Sequence, residues 1–254
     1  MIINPYRFTA AGGITDPTDI AGLDLWLDAS DNSTVLDATD TAAADNEAVK
    51  TWQDKSGNGF HCIQDTAARQ PLRLAAEINS LDALDFDGED WLLGGDWFTQ
   101  TSAKTVFVTC QSDATGSFAN GGALQLSNAS GTGEGGLITD EIAYRINGRT
   151  WVSSDTTTAG QAAIITLAQS GSGNIHSVIS MWLDGTSVTR TSGTDGAIVD
   201  DVGVVIVGKN DDADNAPSEF DGKICEIIVY DTELSAGDRG DVETYLANKW
   251  GVTI

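Results

Sequence analysis

The sequence predicts an all-β fold, a two-sheet sandwich with one short helix near its C-terminal end. About a dozen short apolar stretches, many with alternating polar residues, are separated by turns rich in Gly, Asn, Asp and Ser. Apolar residues at helical spacing occur near the C-terminus alone. The chain has 28 glycines and 4 prolines, a balance that favours many tight turns within a folded domain.

Composition bounds the size of the domain and the partners it can have. With 254 residues and 41% hydrophobic content, the chain can form a single core, since all-β domains of this length are often undivided. Its net charge of −25 repels nucleic-acid phosphates and anionic membranes, so we expect no direct binding to nucleic acid. No apolar run is long enough to insert across a bilayer, and the opening residues MIINPYRF lack the features of a signal peptide. We therefore expect synthesis in a cytoplasm, and exit from the cell only as part of another assembly.

Residues 1–20 are predicted to form an extended N-terminal arm ahead of a single domain over residues 21–254. Pro5, an Ala-Ala-Gly-Gly run and Asp16-Pro17 disfavour regular structure in the arm. Two interpretations are open: the arm docks on its own domain, or it anchors the domain to a neighbouring subunit. The anchoring candidates are its apolar side chains, Ile2, Ile3, Tyr6 and Phe8.

Three segments open the predicted domain. GLDLWLDASD, residues 22–31, alternates and predicts a strand with Leu23, Leu25 and Leu27 on one face. WQDKSGNGFH, residues 52–61, contains a Ser-Gly-Asn-Gly turn, because Gly and Asn tolerate positive φ. LDFDGEDWLL, residues 84–93, predicts a hairpin that turns at Asp87-Gly88.

β-Branched and aromatic residues predict the strands in the middle of the chain. TVFVTCQS, residues 105–112, is typical of a central strand. The clearest hairpin spans residues 177–191 and turns at Asp184-Gly185. Further strands are expected over residues 123–126, 142–146, 162–167 and 204–207.

Residues 220–251 predict a strand, a corner and a helix. Cys225, Ile227 and Val229 are expected to share one face of the strand. Ser235 is a good N-cap, and Gly251 is expected to end the helix. The helix needs a sheet to pack against, because one of its faces is apolar, with Val242, Tyr245, Leu246 and Trp250.

Four of these segments together resemble the concanavalin A-like lectin/glucanase superfamily, in its laminin-G-like or pentraxin-like branch. They are GLDLWLDASD, WQDKSGNGFH, LDFDGEDWLL and GKICEIIVYDTELSAGDRGDVETYLANKWG, and they follow the order of the family from residue 22 to the C-terminus. The resemblance implies a jelly roll of two curved antiparallel sheets. The opening MIINPYRF also resembles the start of structural proteins of tailed bacteriophages, in which such domains decorate heads, tails or fibres.

These resemblances imply a non-enzymatic bacteriophage virion structural protein that displays a lectin-like jelly roll. Such a protein would be assembled in the bacterial host cytoplasm, bind other capsid or tail proteins through its arm, and contact host-surface glycans. Symmetric positions on virions imply a homo-oligomer, a trimer or a larger set. A stand-alone carbohydrate-binding or receptor-binding lectin module is the alternative. A glycoside hydrolase with a diverged site is a third reading, although the E-x-D-x-x-E arrangement of hydrolases on this fold is absent and no catalytic residue is assigned.

Calcium is the candidate cofactor, because it prefers hard oxygen ligands. One acidic loop offers such ligands at Asp211, Asp212, Asp214 and Asn215. A solvated acidic surface is the alternative interpretation of that loop. A second candidate set lies in turns of the family-like segments, at Asp54, Asn58 and Asp87.

Aromatic rings in loops are the candidate glycan contacts, because a ring face stacks on the apolar face of a pyranose. Trp151 lies near Asn147 and Arg149 in the sequence, and Trp97 lies in the segment GGDWF. Packing within the core is the alternative role for Trp151.

Overall fold

A computed structural model describes residues 13–113, 122–127, 136–138, 142–146, 148–199, 202–209 and 219–254. These residues form two antiparallel β-sheets that pack face to face, with one long helix at the C-terminal end, and this confirms the predicted all-β jelly-roll sandwich. The four anchoring candidates of the predicted arm, Ile2, Ile3, Tyr6 and Phe8, lie outside the described residues.

The described strands are short and follow one another closely. In chain order they are β1 (Leu23–Asp28), β2 (Val35–Leu36), β3 (Glu47–Ala48), β4 (Thr51–Trp52), β5 (Cys62–Ile63), β6 (Leu72–Ile78), β7 (Leu81–Asp87), β8 (Leu92–Thr99), β9 (Lys104–Ser112), β10 (Gly122–Ser127), β11 (Gly136–Ile138), β12 (Ala143–Ile146), β13 (Arg149–Ser153), β14 (Ala162–Gln169), β15 (Ile179–Leu183), β16 (Thr186–Ser187), β17 (Arg190–Ser192), β18 (Val202–Val207) and β19 (Asp221–Tyr230). The helices are α1 (Ile175–Val178) and α2 (Ala236–Trp250), with 3-10 turns at Pro17–Asp19, Asn32–Thr34 and Ala67–Arg69.

The two sheets have different surroundings. In the first, which we call the helix-covered sheet, the strand order is β16-β15-β14-β9-β19-β7-β6-β3, and β1 also pairs with β19. The second sheet has the order β17-β13-β12-β11-β10-β18-β8-β5-β4-β2. Helix α2 contacts β9 and β14, so it lies on the helix-covered sheet. Among the described residues, no helix is long and apolar enough to cross a bilayer.

Strand β19 is the junction of the helix-covered sheet. One of its edges pairs with β9 along almost its whole length. The opposite edge is shared by two strands, since residues 221–224 pair with β7 and the part that follows pairs with β1. A bulge separates Ile224 from Glu226 at the point where the partner changes. The final stretch of the chain therefore holds three other strands together.

This bulge corrects one detail of the predicted strand. Ile227 and Val229 do face the core between the sheets, as expected from their alternation. Cys225 faces the helix instead, together with Ile228 and Tyr230. The extra residue of a bulge moves the preceding side chains to the other face, because side chains alternate with a period of two.

The C-terminal helix forms as its sequence predicts. The Ser235 hydroxyl accepts a hydrogen bond from the amide of Asp238 at 3.1 Å and so caps the first turn. Gly251 ends the helix in the left-handed region, with φ at 74°, a conformation that a residue without Cβ adopts at little cost. All four predicted apolar residues pack in the helix-side core, with Val242, Leu246 and Trp250 buried and Tyr245 half-buried.

The predicted turns have mixed outcomes. Asp184 and Gly185, with φ of 47° and 71°, connect β15 to β16 in the expected tight hairpin. The hairpin predicted at Asp87-Gly88 is wrong, because β7 belongs to the helix-covered sheet and β8 to the second sheet. That turn carries the chain from one sheet to the other, and the local sequence does not distinguish such a turn from a hairpin turn.

Part of the predicted arm is docked on the domain. Ile14 and Ile20 pack against the helix-side core, and Pro17 begins a 3-10 turn with Asp16 as its cap. The buried Tyr230 hydroxyl donates a hydrogen bond to the carbonyl oxygen of Pro17 at 2.9 Å. The part of the predicted arm that the structure describes therefore packs on the domain.

A buried carboxylate joins helix α2 to the sheet beneath it. Glu226 is fully buried, and its two oxygens accept hydrogen bonds from the indole N–H groups of Trp26 and Trp250, each at 2.7 Å. The Tyr245 hydroxyl donates to it at 2.9 Å, and the Lys249 ammonium lies 2.8 Å away. A buried charge is tolerated when it is paired and fully hydrogen-bonded, and Glu226 meets both conditions.

Candidate functional site

An apolar hollow beside β5 and β8 is the strongest candidate site. Its volume is about 430 Å³, and we call it the Phe60 hollow. Its lining consists of Gly59, Phe60, His61, Ile63, Asp65, Leu93, Gly94 and Gly95. Apolar concavities with a few polar groups at the rim are the usual form of small-molecule sites.

Two large aliphatic side chains are exposed to solvent in this hollow. Ile63 is 40% exposed and Leu93 is 43% exposed. They are directly opposite each other in the ladder between β5 and β8. The adjoining cross-strand neighbour of Leu93 is Ile206, which is buried. A contiguous apolar surface beside a concavity indicates a place where a ligand or partner binds.

A stacked aromatic pair borders the hollow. The rings of Phe60 and Trp97 have centroids 4.3 Å apart and planes inclined by 6°. Both side chains are partly buried and pack against the core between the sheets. Trp97, a predicted glycan contact, thus lies at the site, although Phe60 covers one face of its ring. Sequence reasoning missed Phe60, whose only signal was an aromatic residue directly after a Gly-rich turn.

The position of Phe60 depends on a hydrogen-bonded loop organised by Asp54. One carboxylate oxygen of Asp54 accepts from the amides of Trp26 at 3.0 Å and Ser56 at 2.8 Å. The other accepts from the amides of Gly59 at 3.0 Å and Phe60 at 3.1 Å, and from the Ser56 hydroxyl at 2.7 Å. The segment WQDKSGNGFH therefore owes its form to one buried carboxylate.

These contacts give the second predicted calcium set a structural role. Asp54 directs its carboxylate at backbone donors, and Asn58 donates its side-chain amide to the carbonyl oxygens of Leu23 and Asp24. Asp87 accepts a hydrogen bond from the amide two residues later. Among the described residues, no group of three or more His, Cys, Asp or Glu side chains could hold a metal ion.

The remaining predicted site residues do not meet at one place in the described structure. Trp151 is 4% exposed and packs in the core between the sheets, so its ring faces are not open to a sugar. Arg149 is partly buried at the start of β13. The other predicted residues, Asn147 of the glycan set and Asp211, Asp212, Asp214 and Asn215 of the calcium set, lie outside the described residues.

The turn after β7 contains a carboxyl group with a raised pKa. Asp90 is 5% exposed and accepts a hydrogen bond from the amide of Asp87 at 3.2 Å. Its pKa is raised to about 7, chiefly by burial and in addition by the nearby carboxylates of Asp87 and Asp85. Asp24 shows the same behaviour for the same reasons, with burial and the carboxylates of Asp231 and Asp54 raising its pKa to about 6.

These shifts predict that the protein is more stable at pH 5 than at pH 8. A folded-state pKa above the unfolded value means that the folded chain binds more protons, so this stabilisation is lost as the pH rises through the folded pKa. For Asp90 we expect the free energy of unfolding to fall by about 1–2 kcal/mol between pH 5 and pH 8. Urea unfolding at both pH values measures it, and Asp90→Asn should reduce the difference. An equal stability at pH 5 and pH 8 would contradict the prediction.

Comparison with known proteins finds solved structures that have a similar fold. The sequence matches no protein-family model. It also matches no curated protein. Domain 4 of AbnA, a GH43 extracellular arabinanase from Geobacillus stearothermophilus solved with arabinotriose, is 11% identical, with a TM-score of 0.60 over 87% of this chain and 98% of that domain.

Two further solved structures share the fold. The binding domain of Paraclostridial Mosquitocidal Protein 1 is 12% identical, with a TM-score of 0.58 over 91% of this chain and 53% of that one. A sialidase from Trypanosoma rangeli is 13% identical, with a TM-score of 0.56 over 97% of this chain and 36% of that enzyme. At these identities the likeness is one of fold, and the chain is a β-sandwich of the kind that these three structures contain.

Proposed function

We propose that this protein is a non-enzymatic carbohydrate-binding module that holds a neutral saccharide in the Phe60 hollow. The observation that carries the proposal is the exposed pair of Ile63 and Leu93 beside the Phe60–Trp97 stack. Sugars present apolar C–H faces as well as hydroxyl groups, so an apolar floor with a few polar groups at its rim suits them.

The polar groups of the hollow fit this role. Asp65 is exposed at the rim and can accept hydrogen bonds from sugar hydroxyls. The Nδ1 atom of His61 accepts a hydrogen bond from the amide of Asp54 at 2.9 Å, which leaves the neutral ring with its N–H at Nε2. That N–H is available as a donor to a sugar oxygen.

Net charge narrows the class of saccharide. At −25, the protein repels sialylated, uronic and sulfated glycans, and neutral glycans carry no such penalty. Two of the similar folds add support through the descriptions of those proteins: one was solved with arabinotriose, and another is the binding domain of its protein.

A binding role is better supported than hydrolysis. Glycosidases of the common type need two carboxyl groups across the scissile bond. Among the described residues, Asp65 is the carboxyl group in the lining of the Phe60 hollow. A reducing-sugar assay on neutral polysaccharides tests this part, and release of sugar by the purified protein would overturn it.

The binding test uses one variant that fills the hollow. The Cβ added by Gly95→Leu would meet the Trp97 ring at an ordinary 3.8 Å, so the new side chain can project into the hollow without a clash in the core. We expect a neutral-glycan array to identify a ligand, and Gly95→Leu to weaken its binding at least about tenfold in calorimetry, since one blocked apolar contact of this size is worth more than 1.4 kcal/mol.

The matched control places the same substitution on the opposite side of the molecule. Gly240 lies in α2 with open space around its Cβ position, so Gly240→Leu adds the same apolar volume away from the hollow. The affinity of Gly240→Leu for the glycan should equal that of the unmodified protein. No binding to any neutral glycan, or equal binding by Gly95→Leu, would refute the proposal.

Display on a bacteriophage virion is a second candidate, which rests on the resemblance of the opening residues. Because the segment around Pro17 packs on the domain, contact with other virion proteins would fall to residues 1–12. Deletion of those residues should then reduce incorporation into particles, and unchanged incorporation would contradict the virion role.

A further inference from the structure

The floor of the Phe60 hollow contains an ordered row of side chains along β5. His61, Ile63 and Asp65 line the hollow, whereas Cys62 and Gln64 between them are buried. Side chains of a strand project alternately from its two faces, so the three lining residues share one face of the second sheet. We call it the outer face, because Cys62 on the opposite side packs in the core between the sheets.

The neighbouring strand β8 continues this floor. Leu93 lies directly opposite Ile63, and Gly95, two residues further along, is exposed and also lines the hollow. Gly94 between them is buried on the inner side, where an added Cβ would lie 3.2 Å from the Cys62 sulfur. The floor is therefore made of two adjacent strands, which are about 5 Å apart.

The sheet is covered on both sides of this floor. On β4, Thr51 is the partner of Ile63 and is 8% exposed, and on β18, Ile206 is the partner of Leu93 and is 3% exposed. Cross-strand partners project from the same face of a sheet, so all four side chains lie on the outer face. The open surface is thus a strip two strands wide between covered flanks. We call it the β5–β8 groove, and it runs along the strands.

Two polar side chains are spaced along the groove, one on each side of Ile63. His61 and Asp65 are four residues apart, which corresponds to about 13 Å in an extended strand. The hydrogen bond from the Asp54 amide to Nδ1 fixes the His61 ring at its end of the row. One sugar unit is shorter than this span, so a saccharide that contacts both polar groups has at least two units.

We propose that the β5–β8 groove binds a linear neutral oligosaccharide of at least two units, with its long axis parallel to β5. This inference rests on the proposed glycan-binding function and specifies the ligand. One unit would lie over Gly95 and accept a hydrogen bond from His61. The next would place its C–H face on Ile63 and Leu93 and donate two neighbouring hydroxyl groups to the Asp65 carboxylate.

An extended peptide is the other linear ligand to consider, and the groove suits it less well. Peptides that bind to sheets usually pair with an open strand edge. At Ile63 and Leu93, however, β5 is paired with β4 and β8, and β8 is also paired with β18. The backbone N–H and C=O groups of a peptide lying on this aliphatic floor would lose water without gaining partners. Sugar hydroxyl groups that point away from the floor stay hydrated.

The test compares monomers, dimers and trimers of five neutral sugars: arabinose, xylose, glucose, mannose and galactose, each linked as a linear series. In calorimetry we expect the dimer of the recognised sugar to bind at least about tenfold more tightly than its monomer. In nuclear magnetic resonance spectra of isotopically labelled protein, the dimer should shift the amide signals of both His61 and Asp65. The amide signals of Thr51 and Ile206 on the flanks should stay in place.

Asp65→Ala tests the far end of the groove. Asp65 is exposed, so the variant should fold, and the ratio of dimer affinity to monomer affinity should fall to near one. The matched control is Glu77→Ala, which removes an exposed carboxylate from β6 of the helix-covered sheet and should keep the ratio.

Equal affinity for monomer and dimer would overturn this inference, and so would a ratio that survives Asp65→Ala. Shifts at Thr51 and Ile206 in place of His61 and Asp65 would show that the saccharide crosses the strands, which also contradicts it. Each of these results would leave the proposed glycan-binding function standing, provided that binding is sensitive to Gly95→Leu. Failure of every series to bind would overturn both.

Discussion

Glu226→Ala is expected to lower the free energy of unfolding by about 4 kcal/mol, and the melting temperature by roughly 10 °C. The substitution removes an acceptor from the indole groups of Trp26 and Trp250 and from the Tyr245 hydroxyl. It also leaves Lys249 with half of its carboxylate partners in a buried setting. Urea unfolding followed by tryptophan fluorescence measures the change, since two of the donors are among the seven tryptophans of the chain.

A second variant at Glu226 and a control at Glu243 separate the effect of charge from that of volume. Glu226→Gln keeps the shape but turns an amide toward two donors, so we expect a loss of about 2–3 kcal/mol. Glu243→Gln is the matched control: this buried glutamate of α2 accepts one short hydrogen bond, from Thr166 at 2.9 Å, and lies 3.8 Å from the Arg239 guanidinium. The free energy of unfolding should fall clearly less for Glu243→Gln than for Glu226→Gln. Equal losses at both positions would show that burial alone, and not the four-donor arrangement, sets the cost.

Asp54→Asn is expected to weaken both the fold and the Phe60 hollow. The amide that replaces one carboxylate oxygen would face the N–H groups of Gly59 and Phe60, which then lack an acceptor. We expect a loss of about 3 kcal/mol in the free energy of unfolding, because two backbone donors lose their acceptor at a buried side chain. The Trp97 indole signal should move as its stack with Phe60 loosens, and binding of neutral glycans should weaken in parallel.

Asp37→Asn serves as the control for this loop. Asp37 organises a similar turn by accepting from the amides of Thr39 at 2.7 Å and Thr41 at 3.1 Å, but it does not line the hollow. It should leave the Trp97 signal and glycan binding unchanged. If Asp54→Asn also leaves the signal of Trp97 in place, the loop does not position Phe60 and the account of the site is wrong.

Local patterns were sufficient for the fold where a residue and its structural partner lie close in sequence. The cap at Ser235, the helix end at Gly251 and the tight turn at Asp184 follow from residue chemistry within a few positions. The turn at Asp87 looked identical to a hairpin turn, because the choice between one sheet and two depends on strands far away. The bulge at Cys225 was hidden for the same reason, since β19 changes partner there.

The site was harder to predict than the fold. Trp97 was found through its residue type, but Trp151, chosen by the same criterion, is in the core because it pairs with Tyr144 on the inner side of the second sheet. The hollow itself arises from residues of two separated segments, with Phe60 following one turn and Leu93 following another. Exposure of the pair formed by Ile63 and Leu93 depends on what covers that face of the second sheet at β5 and β8, which alternation along one strand does not reveal.

The shared edge of β19 has a consequence for how the protein is made on the ribosome. β1 is synthesised early, yet Trp26 pairs with Ile228, about two hundred positions later in the chain. Until that later segment leaves the exit tunnel, the early strands have no partner on this edge and their apolar faces stay uncovered. We therefore expect nascent chains that stop before residue 220 to depend on chaperones. The whole helix-covered sheet should become protease-resistant in one late step, when β19 arrives.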